Sequence, residues 1–150
     1  MNLFQQLFVV SIFLVTIYIL IISWRQAHDQ KNSFGLAGWL YPFGIFVWGD
    51  ALIIALFWLL ISVASLLFND WLLFLLLVSL FWVVRSWGEV NYWLLEQFSG
   101  IHRNKAKDLL GFLIVKNDSI FFIYQVFWQC CLVFSLLFAI YFAHLWLIRF

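Results

Sequence analysis

Apolar residues fill this chain in long uninterrupted stretches, and polar residues gather in the short breaks between them. The first stretch, residues 3–24, ends at a polar segment, 25–33, that holds Arg25, His28, Asp29 and Lys31. The second runs over residues 39–68, with Pro42 near its start, where a proline suits the first helical turn. Asn69 and Asp70 interrupt it as a tight turn of a helical hairpin, and the third stretch follows over 71–98. The fourth covers 119–148, with Asn117 and Asp118 placed as N-caps. Crossing the hydrocarbon core takes about 20 apolar residues, and all four stretches are long enough. The pattern predicts an all-α fold: a polytopic membrane protein of four transmembrane helices forming a single bundle domain over residues 1–150.

Composition agrees and excludes the alternative. The chain is 67% hydrophobic and 10% charged. A soluble domain of this size has too much surface to cover with so few charges. Residues 1–6 carry no Lys or Arg, the first apolar run is longer than a signal-peptide core, and no small-x-small site follows it. The first stretch is therefore expected to remain as a membrane helix.

The net charge of +1 names no partner, but charge placement is informative. Arg25, Lys31, Arg103, Lys105, Lys107 and Lys116 all lie in the first and third connections, whereas the hairpin turn has no basic residue and the tail only Arg149. Basic connections stay in the cytoplasm. With an even number of spans, both termini are then expected on the non-cytoplasmic side of a cell membrane. In the third connection, 99–116, Ala106, Leu109, Leu110 and Leu113 share one face if the segment is helical. Two readings stay open there: an interfacial amphipathic helix over about 101–115, or a basic loop before an early start of the fourth span. In either, Arg103, Lys105 and Lys107 are placed to meet anionic lipid headgroups rather than nucleic acid, for which three charges are a thin footprint.

Charges inside spans are expensive and so are candidates for function. Asp50 falls in the second stretch and Arg85 and Glu89 in the third. Folding back at Asn69 and Asp70 puts Asp50 level with Glu89, and Arg85 and Glu89 share a helix face at i, i+4 spacing. With a rise of about 1.5 Å per residue, Arg85 and Glu89 lie roughly 22 and 28 Å from the turn, in the inner leaflet. Gln125 and Gln129 enter the same leaflet from the fourth stretch, which predicts a buried polar layer of Asp50, Arg85, Glu89, Gln125 and Gln129. Tyr92 and Glu96 extend it as a stripe toward the cytoplasm. Gly44, Ala51, Ala55 and Ser62 make a small-residue stripe on the second stretch, of the kind that lets helices approach closely in lipid. The 10 Trp, 19 Phe and 5 Tyr read first as interfacial belts, with Trp39, Tyr41 and Trp48 on one span and Trp87, Tyr92 and Trp93 on the next.

Catalytic patterns do not emerge. Cys130 and Cys131 are adjacent within an apolar run and read as small apolar filler. His28, His102 and His144 have no ligand set at metal-binding spacing, and no phosphate loop, activated nucleophile or HExxH pattern is present, so neither a metal nor a cofactor is expected. The leading expectation is a non-enzymatic structural, assembly or regulatory component that works by binding other membrane protein subunits or itself. The alternative is an oligomeric channel or transporter that handles protons or small cations through the Asp/Arg/Glu layer, because two carboxylates there face one guanidinium.

Overall fold

The computed structural model describes residues 1–98, 104–109, 115 and 117–149. It is all-α, with four long apolar helices: α1 (Leu3–Trp24), α2 (Trp48–Leu67), α3 (Trp71–Phe98) and α4 (Ser119–Leu147). Length and apolar character make each a membrane span, and the chain is a small multi-pass membrane protein. It divides into two compact units, one of Met1–Val78 with Arg149 from the far end of the chain, the other Ser79–Ile148. The division falls within α3, which continues through it as one helix.

In the first unit, α1 starts on a reciprocal cap. The Gln5 amide N–H donates to Asn2 Oδ1 and the Asn2 amide N–H to Gln5 Oε1, both at 2.9 Å. Two of the unsatisfied donors at a helix start are thereby removed. The helix runs into a π-helical turn, Arg25–Asp29, at the first basic break. Val9, Thr16, Ile19 and Ser23 are fully buried. So are Ala51, Ala55 and Ser62 of α2, and Ile19, Ala51 and Ala55 belong to one core cluster. The small side chains are what allow the two helices to pack, since lipid supplies no hydrophobic force to press helices together. The hydroxyls among them bond backward within their own helices, Thr16 to the Ile12 carbonyl, Ser23 to Ile19 and Ser62 to Trp58. A hydroxyl in an apolar setting otherwise carries a desolvation cost.

The second span begins later than the sequence suggests, at Trp48 rather than near residue 39. Residues Gly38–Phe43 form a 3₁₀ turn containing Pro42, and Gly44 closes it in the left-handed region at φ 72°. A helix cannot continue through that conformation, and glycine adopts it without a Cβ penalty. The chain then extends through Ile45, Phe46 and Val47, residue types that favour extended backbone. Ala37 donates to the Phe46 carbonyl at 2.9 Å, Trp48 to Gly35 at 3.2 Å and Gly49 to Ser33 at 2.8 Å. Leu36 and Val47 form an antiparallel bridge. Gly44, read as part of the helical stripe, thus lies in this loop.

The loop folds back along α2. The Trp58 indole N–H donates to the Phe43 carbonyl at 3.0 Å, and the two rings meet edge to face. Trp58 is the eleventh residue of α2, so at a rise of about 1.5 Å per residue its Cα lies roughly 15 Å along the helix. Non-helical backbone at such a depth must satisfy its own polar groups or be sheltered by protein. The loop does both, since Ala37, Leu40 and Ile45 are buried in the same cluster as Ile19.

The hairpin between α2 and α3 is as short as Asn69 and Asp70 imply. Asn69 takes a left-handed conformation at φ 49°. Its amide donates to the Leu66 carbonyl and that of Asp70 to Ser65, both at 3.1 Å, which is the Schellman closure of a helix end. Asp70 Oδ1 then accepts from the Leu72 amide at 2.9 Å and so caps α3. Gln6 donates to Asn69 Oδ1 at 3.0 Å, and Arg149 bonds Asp70 at 3.0 Å. The start of α1, the hairpin turn and the residue after α4 therefore converge at one end of the first unit.

In the second unit, Asn117 Oδ1 accepts from the Ser119 amide at 3.0 Å at the start of α4. Asp118 takes the N-cap position but makes no side-chain cap bond, so of the two expected caps only Asn117 acts through its side chain. Within the third connection, Ala106–Asp108 form one 3₁₀ turn and Leu109 is extended. Most of the segment read as an amphipathic helix, Arg103 included, lies outside the described residues.

Candidate functional site

The polar side chains of α3 form a ladder at helical spacing. Arg85 and Glu89 meet as an i, i+4 ion pair, Nη2 to Oε1 at 2.9 Å, with side chains only 18% and 12% exposed. The second carboxylate oxygen of Glu89 accepts from the Trp93 indole N–H at 3.1 Å, again one turn on. A guanidinium and an indole thus hold the two oxygens of one acid. Bonds to a charged acceptor are the stronger kind, and their strength rises as solvent is removed.

Toward the end of α3 the ladder turns outward to the connection. Glu96 is buried at 3% exposure and accepts from the Asn104 amide at 3.4 Å. The Asn104 side chain donates to the Tyr92 hydroxyl at 2.5 Å. The stripe read from Arg85, Glu89, Tyr92 and Glu96 thus carries two sets of polar contacts, Arg85–Glu89–Trp93 and Tyr92–Asn104–Glu96, the second closed by a loop asparagine.

A second link ties α3 to α4. The Gln97 side chain donates to Gln125 Oε1 at 2.5 Å. Beside it, Trp93 lies against Tyr124, with ring centroids 4.6 Å apart, and stacks on Phe121 at 6.2 Å. Trp93 accordingly has two tasks: its N–H orients Glu89 and its ring seats α4. Its role in the polar site was hidden in the sequence among ten tryptophans, although its i+4 spacing from Glu89 is the signal that would single it out. Gln97 had the same signal relative to Trp93. Asn104 had none, because a loop side chain finds its partner only once the chain folds.

These contacts bring some residues of the predicted layer together. Arg85, Glu89 and Gln125 take part in the contacts just described. Gln129, one turn on from Gln125, is exposed. Four residues advance a helix by about 40° past a full turn. The aromatic contacts of Phe121 and Tyr124 fix the rotation of α4 so that this advance carries Gln129 out of the packed face. Asp50 belongs to the first unit, in the first turn of α2, where a carboxylate complements the positive end of the helix dipole. With α2 starting at Trp48, Asp50 lies at the end of a span rather than inside one. Lys105 and Lys107 are exposed. Compared with known protein families, characterised proteins and solved structures, the chain matches none.

Proposed function

We propose that the chain is a non-enzymatic component of a cell membrane that acts by associating with other membrane proteins or with itself, its inner-leaflet polar residues serving to fix which helices pair. The observation that carries this reading is the full engagement of Glu89, with one oxygen on Arg85 at 2.9 Å and the other on Trp93 at 3.1 Å. An acid that relays protons or cations must exchange partners. This one is held by a permanent cation and by an indole whose ring is itself packed between α3 and α4.

The basic first and third connections support a cytoplasmic location for both, with the termini and the hairpin turn outside. In this orientation Lys105 and Lys107, together with Arg103, meet anionic lipid headgroups. Asp50 joins the Arg85 layer in this reading, on the strength of the hairpin register. Liposomes test the proposal against conduction. The purified protein should give no proton or small-cation flux above protein-free vesicles, and Asp50→Asn and Glu89→Gln should leave that baseline unchanged. A wild-type flux that either substitution abolishes would replace this reading with a channel or transporter.

A further inference from the structure

Between Lys31 and Asp50 the chain carries no charged residue. Its backbone is paired on itself instead. The amides of Ala37, Trp48 and Gly49 donate to the carbonyls of Phe46, Gly35 and Ser33, so that residues 33–37 and 46–49 run side by side as two antiparallel arms. Gly38–Phe43 is the turn that joins them. Pro42 in that turn has no N–H to satisfy. Connections bathed in water usually carry charge, and this one has the features of a segment that avoids water.

Three measures, all within the first unit, agree on how far the turn reaches along the spans. The 20 residues of α2 rise about 30 Å, the thickness of the hydrocarbon core, so none of the helix is left to stand in water. The Phe43 carbonyl meets the Trp58 indole, and the Trp58 Cα lies roughly 15 Å from the start of that helix. On α1, Ile19 clusters with Leu40 and Ile45. It lies ten residues before Asp29, the end of the π-helical turn, which is again roughly 15 Å. The arm from Gly44 to Trp48 is four residues long, roughly 13 Å at about 3.3 Å per extended residue. Lys31 and Asp50 flank the open end of the arms, where a charge stays hydrated.

We infer that residues 33–49 are a re-entrant hairpin, which enters the bilayer beside the end of α1, turns at Gly38–Phe43 roughly 10 to 15 Å inside, and returns to the same surface before α2 crosses. The medium at the level of Trp39 and Tyr41 is then the hydrocarbon of one leaflet, and Phe34 near the open end lies at headgroup level. Backbone outside a helix is tolerated at that depth because the arms bond each other and Leu40 and Ile45 are buried with Ile19. The depth is set by α1, α2 and the arms alone. The inference stands apart from the proposed function, which fails on conduction.

Nitroxide-labelled lipids read this depth directly. The full chain is placed in liposomes, with Cys130→Ser and Cys131→Ser as background and a bimane fluorophore on a single introduced cysteine. Trp39→Cys should lose more fluorescence to a nitroxide at the middle of the acyl chain than to one on the headgroup. Tyr41→Cys should repeat that order, and Ile53→Cys on α2 is the reference for acyl depth. Phe34→Cys should show the opposite order, as should Lys31→Cys. None of these five side chains is buried, so helical circular dichroism of each variant should match wild type. A headgroup preference at Trp39→Cys or Tyr41→Cys, or no quenching there by either lipid, would overturn the inference.

Discussion

Replacing Arg85 with alanine should lower the unfolding free energy in detergent by about 3 to 5 kcal/mol, the usual cost of stripping one partner from a buried ion pair. The pair in question is short at 2.9 Å and its side chains are largely covered. Without the guanidinium, a largely covered carboxylate loses its ion-pair partner and keeps the Trp93 indole as a neutral donor. The companion experiment removes both charges. Arg85→Met with Glu89→Leu should recover most of the loss, because an apolar pair of similar volume is often no less stable than the ion pair it replaces. Equal thermal stability of Arg85→Ala and wild type would show that the pair is not a structural element.

Ala55→Leu should cost about 1 to 3 kcal/mol, through overpacking rather than lost charge. Ala55 is fully buried and shares a cluster with Ile19 and Ala51. A leucine there has no room unless α1 and α2 move apart, and in lipid their close approach is the main source of attraction between them. The control is Ile53→Leu, two residues away at 71% exposure, which should leave stability unchanged. Denaturant or thermal unfolding of both variants reads the difference. A neutral Ala55→Leu would mean that the two helices do not depend on close contact.

Much of the fold was legible because hydrocarbon imposes simple rules. Runs of about 20 apolar residues between polar breaks find their helices without any knowledge of contacts. The Asn69–Asp70 turn was legible because asparagine tolerates the left-handed conformation and aspartate caps a helix, and both residues do so here. The Arg85–Glu89 pair followed from spacing alone.

The misjudged start of α2 has an instructive cause. Hydropathy measures side chains, and Leu40, Phe43, Ile45, Phe46 and Val47 are as apolar in a loop folded against protein as in a helix. Helix and loop differ in where the backbone bonds go, and the local signal for that was the sequence Pro42–Phe43–Gly44 followed by three residues of extended preference. The direction in which α4 faces was illegible for another reason. Periodicity says which residues of α4 share a face, but the direction of that face is set by Phe121 and Tyr124 against Trp93, contacts distant in sequence.

The four-span topology underlies every assignment of depth and side, and sided labelling tests it most directly. Single cysteines at Phe68, Lys31 and Lys105, in a Cys130→Ser and Cys131→Ser background, can be probed in sealed right-side-out vesicles with a membrane-impermeant maleimide. Phe68→Cys, beside the hairpin turn and exposed, should label from outside, while Lys31→Cys and Lys105→Cys should label only after permeabilisation. Labelling of Phe68→Cys and Lys31→Cys from the same side would contradict the account, because α2 would then not cross the membrane.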